Sequence, residues 1–248
     1  MLKQNHLLLV FIHSRRLFEL SDDSFPFGLE QDSLANSLGA AIPNRSLMIV
    51  EGEVGEGKSL IGQRLAYGLV ENGTKVAYVT TELTTRGWLE QVDSIGYGMT
   101  QAIDEGRFLL MASYGVLSEQ VENKVTLFDL LRNDGLKAAD FIIIDRASQL
   151  LPEGVDPKHL LTEIRRFTSE GRTLMLTMDP HEIPEVIFRE MKGSAEVVIG
   201  LMSMTQGGQL KRTLAITRFL RAAGPVQARI GWRVEPSMGF IVDITAVS

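Results

Sequence analysis

Between the apolar run SLMIV (46–50) and a helical pattern over 59–70 lies GEVGEGKS, residues 52–59. In a strand-to-helix turn, Gly-x-x-x-x-Gly-Lys-Ser lets successive backbone N–H groups converge on a phosphate, and the helix N-terminus adds positive potential. Gly52, Gly55 and Gly57 permit the backbone conformations and the close approach. Lys58 is placed to reach β- and γ-phosphates and the Ser59 hydroxyl to ligate Mg²⁺. The nucleotide-binding stretch is therefore Gly52, Glu53, Val54, Gly55, Glu56, Gly57, Lys58, Ser59 and Leu60, with ATP and Mg²⁺ as its cofactors.

Such a loop needs a carboxylate at the end of another buried strand to hold the magnesium shell. FIIID (141–145) supplies it, four apolar residues ending in Asp145, which would hold the ion through water. Hydrolysis needs in addition a group that orients or deprotonates water. Glu82 in YVTTELTT (78–85) is the candidate, because its strand follows the P-loop helix and ends at the edge where open α/β sheets bind ligands. A competing reading places Glu82 in the first turn of the next helix, favourable to its dipole. Thr177 and Asp179 in LMLTMDP (174–180) end a further strand at that edge, either to sense a γ-phosphate or to cap the following helix.

The rest of the chain repeats the rhythm. KVAYVTT (75–81), RFLLMAS (107–113), DFIIIDRAS (140–148) and RTLMLTM (172–178) alternate with helical patterns over 85–95, 118–132, 157–170 and within 183–191. This implies βαβ units and a mostly parallel sheet covered by helices on both faces, with FIII and LMLTM as central strands. After about residue 195 come strands divided by tight turns: EVVIGLMSM, KRTLAITRF, ARIGWRVE and GFIVDITAV, with Gly207-Gly208 as a hairpin signal. The expected class is α/β with a C-terminal antiparallel extension.

Net charge is −6, from 25 basic and 31 acidic residues, so no global field favours nucleic acid or an anionic membrane. No cysteine is present, which removes disulfides, thiolate metal sites and Cys nucleophiles. The apolar run 7–12 is six residues long, far below the roughly 20 that span a bilayer, and reads as an edge strand, a short helix or a disordered extension. Trp88 and Trp232 lie in apolar surroundings and read as core or interface anchors. The four histidines show no metal-ligand spacing.

Taken with the P-loop, the stretches QRLAYGLVENG (63–73), VTTELTT (79–85), LTMDP (176–180), GGQLKRTLAITRF (207–219) and WRVEPSMGFIVDITAVS (232–248) resemble the archaellum ATPases FlaH, also called ArlH. These are KaiC-like members of the RecA superfamily, and LGAAIPNRS (38–46) is similar to the Gly-rich opening of KaiC-like domains. The resemblance covers about 25–248 and implies one RecA-type ATP-binding domain there, with 1–24 as an extension. It further implies a cytoplasmic protein at the base of the archaellum, beneath the membrane platform and beside the motor ATPase FlaI. Family members form a homo-oligomeric ring whose own hydrolysis is weak or absent; the acidic balance and the shortness of the run 7–12 add the expectation of no nucleic-acid partner and no membrane span. In KaiC-like proteins a Lys-x-Arg pair on a late strand reaches a neighbour's γ-phosphate; Arg218 falls at the Lys position, as candidate trans contact, and Leu220 at the Arg position. Arg221 would point to the other face of a regular strand. Arg146 stands where serine is commoner, and GAAIP lacks two of the usual glycines. Two other readings stay open: a steadily hydrolysing recombinase-like or clock-like ATPase, and a platform protein that holds nucleotide permanently.

Overall fold

The structure, a computed structural model, describes residues 24–114, 125–206 and 208–243. From its start the described chain runs β1 (Ser24–Pro26), α1 (Leu34–Ser37), β2 (Ala41–Pro43), β3 (Leu47–Glu51), α2 (Lys58–Glu71), β4 (Val76–Thr84), α3 (Thr85–Ser94), α4 (Thr100–Asp104) and β5 (Phe108–Tyr114). It continues through α5 (Leu127–Arg132), α6 (Asp134–Lys137), β6 (Phe141–Asp145), α7 (Pro157–Ser169), β7 (Thr173–Met178) and α8 (Glu185–Ser194). The last strands are β8 (Val197–Gln206), β9 (Gln209–Phe219), β10 (Arg229–Glu235) and β11 (Gly239–Val242).

Strands β3 to β11 form one sheet in the order β11-β10-β9-β8-β3-β7-β6-β4-β5. Every pair from β8 to β5 is parallel, and β8–β9, β9–β10 and β10–β11 are antiparallel. Parallel pairing brings the C-terminal ends of β3, β4, β6, β7 and β8 out at a single edge. The two faces divide the apolar residues by alternation. Met48, Val50, Ile143 and Met175 pack with α2 on one face, while Leu47, Ile49, Ile142, Ile144, Leu174 and Leu176 pack with α5, α7 and α8 on the other. That is why FIII and LMLTM are apolar throughout: both of their faces are covered. Trp88 and Trp232 belong to the α2-side core and are buried.

Local chemistry sets the helix starts. Thr84 Oγ1 accepts from Gly87 N–H at 2.9 Å, so α3 begins after Glu82, which stays on β4. Thr126 and Asp129 form a reciprocal capping box at α5. Asp156 accepts from His159 N–H at 2.9 Å and Pro157 opens α7, whose Leu160, Ile164 and Phe167 face the sheet. The DPHEIPE segment starts as a single 3-10 turn, Pro180–Glu182, because Pro184 forces Ile183 into an extended conformation and delays α8 to Glu185.

Several elements were not foreseen. The β1–β2 ribbon and α1 lie against α2, held there by a buried ion pair: Arg64 Nε donates to Asp32 Oδ2 at 2.6 Å, Nη2 to Oδ1 at 2.8 Å and Nη1 to Phe27 O at 3.1 Å. Both side chains are at most 1% exposed. The apolar run 7–12, the first half of the 118–132 helix, Gly207 and the strand end beyond 243 lie outside the described residues. Among the described residues no helix is long and apolar enough to cross a membrane.

Candidate functional site

β3 ends at Glu51 and α2 starts at Lys58, with Gly57 at φ 95° and Gly55 at φ 87° in the left-handed region that favours glycine. A Cβ at Gly57 would stand 2.5 Å from Trp232 Cη2, and one at Gly52 would stand 3.0 Å from Leu201 Cβ. The loop therefore rests on β8 and β10, strands of the antiparallel extension and its junction. Lys58 Nζ donates to Gly52 O at 2.7 Å and to Glu53 O at 2.8 Å, which lays the ammonium across the loop. Glu56 takes Glu53 N–H at 2.7 Å on one carboxylate oxygen and Ser203 N–H at 3.3 Å on the other, tying the loop to β8. Glu53 Oε1 lies 3.2 Å from His181 Nε2. Val54 is exposed at the tip, and Leu60 packs its side chain on the core.

Asp145 ends β6 only 2% exposed. Thr177 Oγ1 donates to its Oδ1 at 2.7 Å and Tyr78 OH to its Oδ2 at 3.0 Å, and the Ser59 hydroxyl stands near enough to act on the same carboxyl. Burial pushes the carboxyl above its ordinary value, against the opposing pull of those three hydroxyls. Burial first, and Asp145 second, push the Tyr78 phenol far up. The hydroxyl at the start of α2 and the carboxylate at the end of β6 thus come near each other, two hard oxygens of the kind that a magnesium shell uses. Thr177 is committed inward, since it also accepts Arg146 N–H at 2.7 Å. Asp179 caps the 3-10 turn by accepting His181 N–H at 2.9 Å.

Glu82 sits at the same edge on a distorted strand end. Thr80 Oγ1 accepts Glu82 N–H at 3.4 Å and Leu83 N–H at 3.3 Å, and the β4–β5 register shifts between Thr80 and Thr84. This bulge re-aims the side chain. The Glu82 carboxylate is ion-paired with Arg146 Nη1. On its other side Arg146 bonds Glu182, with Nε 3.1 Å from Oε1, and the Ser148 hydroxyl donates to Glu182 too. The hydrogen bond from Arg146 is the largest cause holding the Glu182 carboxyl below its ordinary value, while burial opposes it.

Arg218 lies elsewhere. It pairs with Val198, which pairs with Ile49, and β9 runs antiparallel to β8, so Arg218 is near the end of the sheet away from its own phosphate loop. Its Nη1 donates to Gly193 O at 2.8 Å. β9 stops at Phe219, so Leu220 and Arg221 are not strand residues and the expected alternation of faces does not reach them. Leu220 is exposed, and Arg221, at φ 57°, donates to Asn44 O at 2.8 Å.

Residues 32–230 match the family described as "ATPase: KaiC". The archaeal flagellar ATP-binding protein FlaH of Methanocaldococcus jannaschii is 32% identical over 223 residues, covering 89% of this chain and 96% of its own length. The chain belongs to the KaiC-like FlaH family. FlaH of Methanococcus voltae is 28% identical, over 89% of this chain and 97% of its own. FlaH of Sulfolobus acidocaldarius is 25% identical, over 85% and 93% respectively. The crystal structure of the flagellar accessory protein FlaH from Methanocaldococcus jannaschii superposes with a TM-score of 0.81, at 32% identity, covering 89% of this chain and 99% of that one. The mostly parallel sheet with its antiparallel C-terminal strands is the fold expected of a FlaH chain.

Sequence reasoning missed three participants. Tyr78 stands three positions after Lys75 on an ordinary apolar strand, and only the pairing of β4 with β6 reveals that it faces Asp145. Glu182 carries no local signal that links it to Arg146, 36 positions away. Trp232 was assigned to a core or interface, but nothing in its neighbourhood pointed to Gly57.

Proposed function

We propose that this chain binds Mg-ATP on Gly52–Leu60 and acts as an assembly and regulatory subunit of the archaellum motor, its nucleotide state setting ring formation and contact with the motor ATPase FlaI. Hydrolysis is slow in this reading. Residues 25–248 serve in this reading as one KaiC-like domain, cytoplasmic at the archaellum base; the relatives, each named an archaeal flagellar ATP-binding protein, support its flagellar and ATP-binding parts. The observation that carries it is the convergence of the two halves of the site: Ser59, opening α2, stands near enough to Asp145, ending β6, for its hydroxyl to pull that carboxyl down against burial. The donor set fits the ligand. Gly52 and Gly57 sit where any Cβ would collide, so backbone N–H groups can close around phosphates, and Lys58 supplies a point charge. Ser59 and Asp145 would hold Mg²⁺, which when bound neutralises phosphate charge. Arg218, remote from its own loop, serves the neighbouring subunit's nucleotide in a ring.

Measuring ATP affinity and turnover side by side tests this reading. Lys58→Ala is expected to abolish Mg-ATP binding in calorimetry while circular dichroism stays unchanged, and with it ATP-dependent binding of FlaI. Glu82→Gln is expected to keep or strengthen that partner binding. Turnover on the order of 1 per second or faster, with partner binding lost in Glu82→Gln, would make the chain a working motor enzyme instead.

A further inference from the structure

We propose that Arg146 is a positioning residue that restrains ATP hydrolysis by holding the Glu82 carboxylate against a fixed anchor, Glu182. The inference rests on the reading of Glu82 as the water-activating group. Arg146 is rigidly presented: its N–H is taken by the buried Thr177 hydroxyl at 2.7 Å, and its φ of 57° turns the chain sharply after Asp145. Glu182 is fixed in turn. Ser148 donates to it, and its own N–H is bonded to Asp179 O at 3.1 Å in the capped 3-10 turn. The guanidinium fork spans the two acids, Nη1 to Glu82 and Nε with Nη2 to Glu182. An arginine can do this because its donors lie in one rigid plane.

The consequence is chemical. In hydrolysis the water oxygen bonds to the γ-phosphorus while the bond from that phosphorus to the β–γ bridging oxygen breaks. The electron pair leaves with ADP, and the water proton passes to a carboxylate lone pair. In this arrangement one of the two Glu82 oxygens, Oε1, faces the Arg146 N–H, and the bulge at Thr80 aims the side chain there. Water is left with the other carboxylate oxygen, whose direction the guanidinium fixes. The anchor is also linked to the phosphate loop, because His181, beside Glu182, contacts Glu53. Restraint and nucleotide cradle therefore share one turn.

The test uses the full chain. Arg146→Ser should raise the single-turnover rate by about tenfold or more, part of the 10²–10⁴ that a general base contributes, with ATP affinity by calorimetry unchanged. Arg146→Lys, a single point charge, should give a smaller gain. Adding Glu82→Gln to Arg146→Ser should erase the gain. A readout independent of turnover is the unfolding midpoint in urea without nucleotide, where the shifts from Arg146→Lys and Glu82→Gln should be non-additive. An unchanged or slower rate in both Arg146 variants, a gain that survives Glu82→Gln, or additive unfolding shifts would each overturn the restraint. Loss of ATP binding in the unsubstituted chain would instead overturn the nucleotide-binding reading.

Discussion

At Glu182 one carboxylate receives both the Arg146 guanidinium and the Ser148 hydroxyl, and the two ion-paired side chains are 25% and 28% exposed. The hydrogen bond from Arg146 lowers the Glu182 carboxyl in the folded state. A carboxyl lowered on folding contributes stability that is fully present above its unfolded value, about 4.3, and is lost as pH falls through the lowered folded value. Arg146→Ser should therefore cost about 1 kcal/mol in urea unfolding at pH 7, discounted for solvent screening. The difference from the parent should shrink as the pH is taken from about 5 downward. A difference that stays constant down to the acid limit would mean that Glu182 is not the group responsible. Only part of this residue chemistry could be read in advance. Lys58, Ser59 and Asp145 are fixed by spacing and by the apolar run before the Asp, whereas Arg146 meets Glu82 across 64 positions and Glu182 across 36. No local pattern encodes such a meeting.

Among the elements, β10 has a double role, joining β9 to the edge strand β11 and backing the phosphate loop with Trp232 under Gly57. Trp232 also stacks on Phe240 of β11, with ring centroids 5.2 Å apart, so the loop's floor is built from two strands. Trp232→Ala should lower stability by about 3–5 kcal/mol, the usual result of truncating a buried aromatic. Because the loop loses its support, ATP affinity should fall as well. Retained affinity in a destabilised but folded variant would show that the loop holds its shape alone. The sequence made most of this frame legible. β3, β6 and β7 announce themselves by being apolar on both faces, and the antiparallel end by its turns. The β1–β2 ribbon did not, since strands of three residues carry no periodicity. Nor did the bulge in β4, which depends on one threonine hydroxyl accepting two N–H groups.

For the molecule as a whole, the distance along the sheet between Arg218 and the phosphate loop is what favours a site completed by another copy. Arg218→Ala should reduce Mg-ATP-dependent self-association, followed by light scattering, without weakening ATP binding to the monomer. Identical profiles for variant and parent would remove Arg218 from the subunit contact. Arg64 and Asp32 have a different reach. Either charge left alone in that buried place costs about 3–5 kcal/mol, a large part of what keeps any such fold intact. Yet replacing both by well-matched apolar residues can be nearly neutral. Over descent, positions 32 and 64 should therefore change in tandem or not at all, and their shared history would mark the α1 segment as inherited together with the helix that follows the phosphate loop.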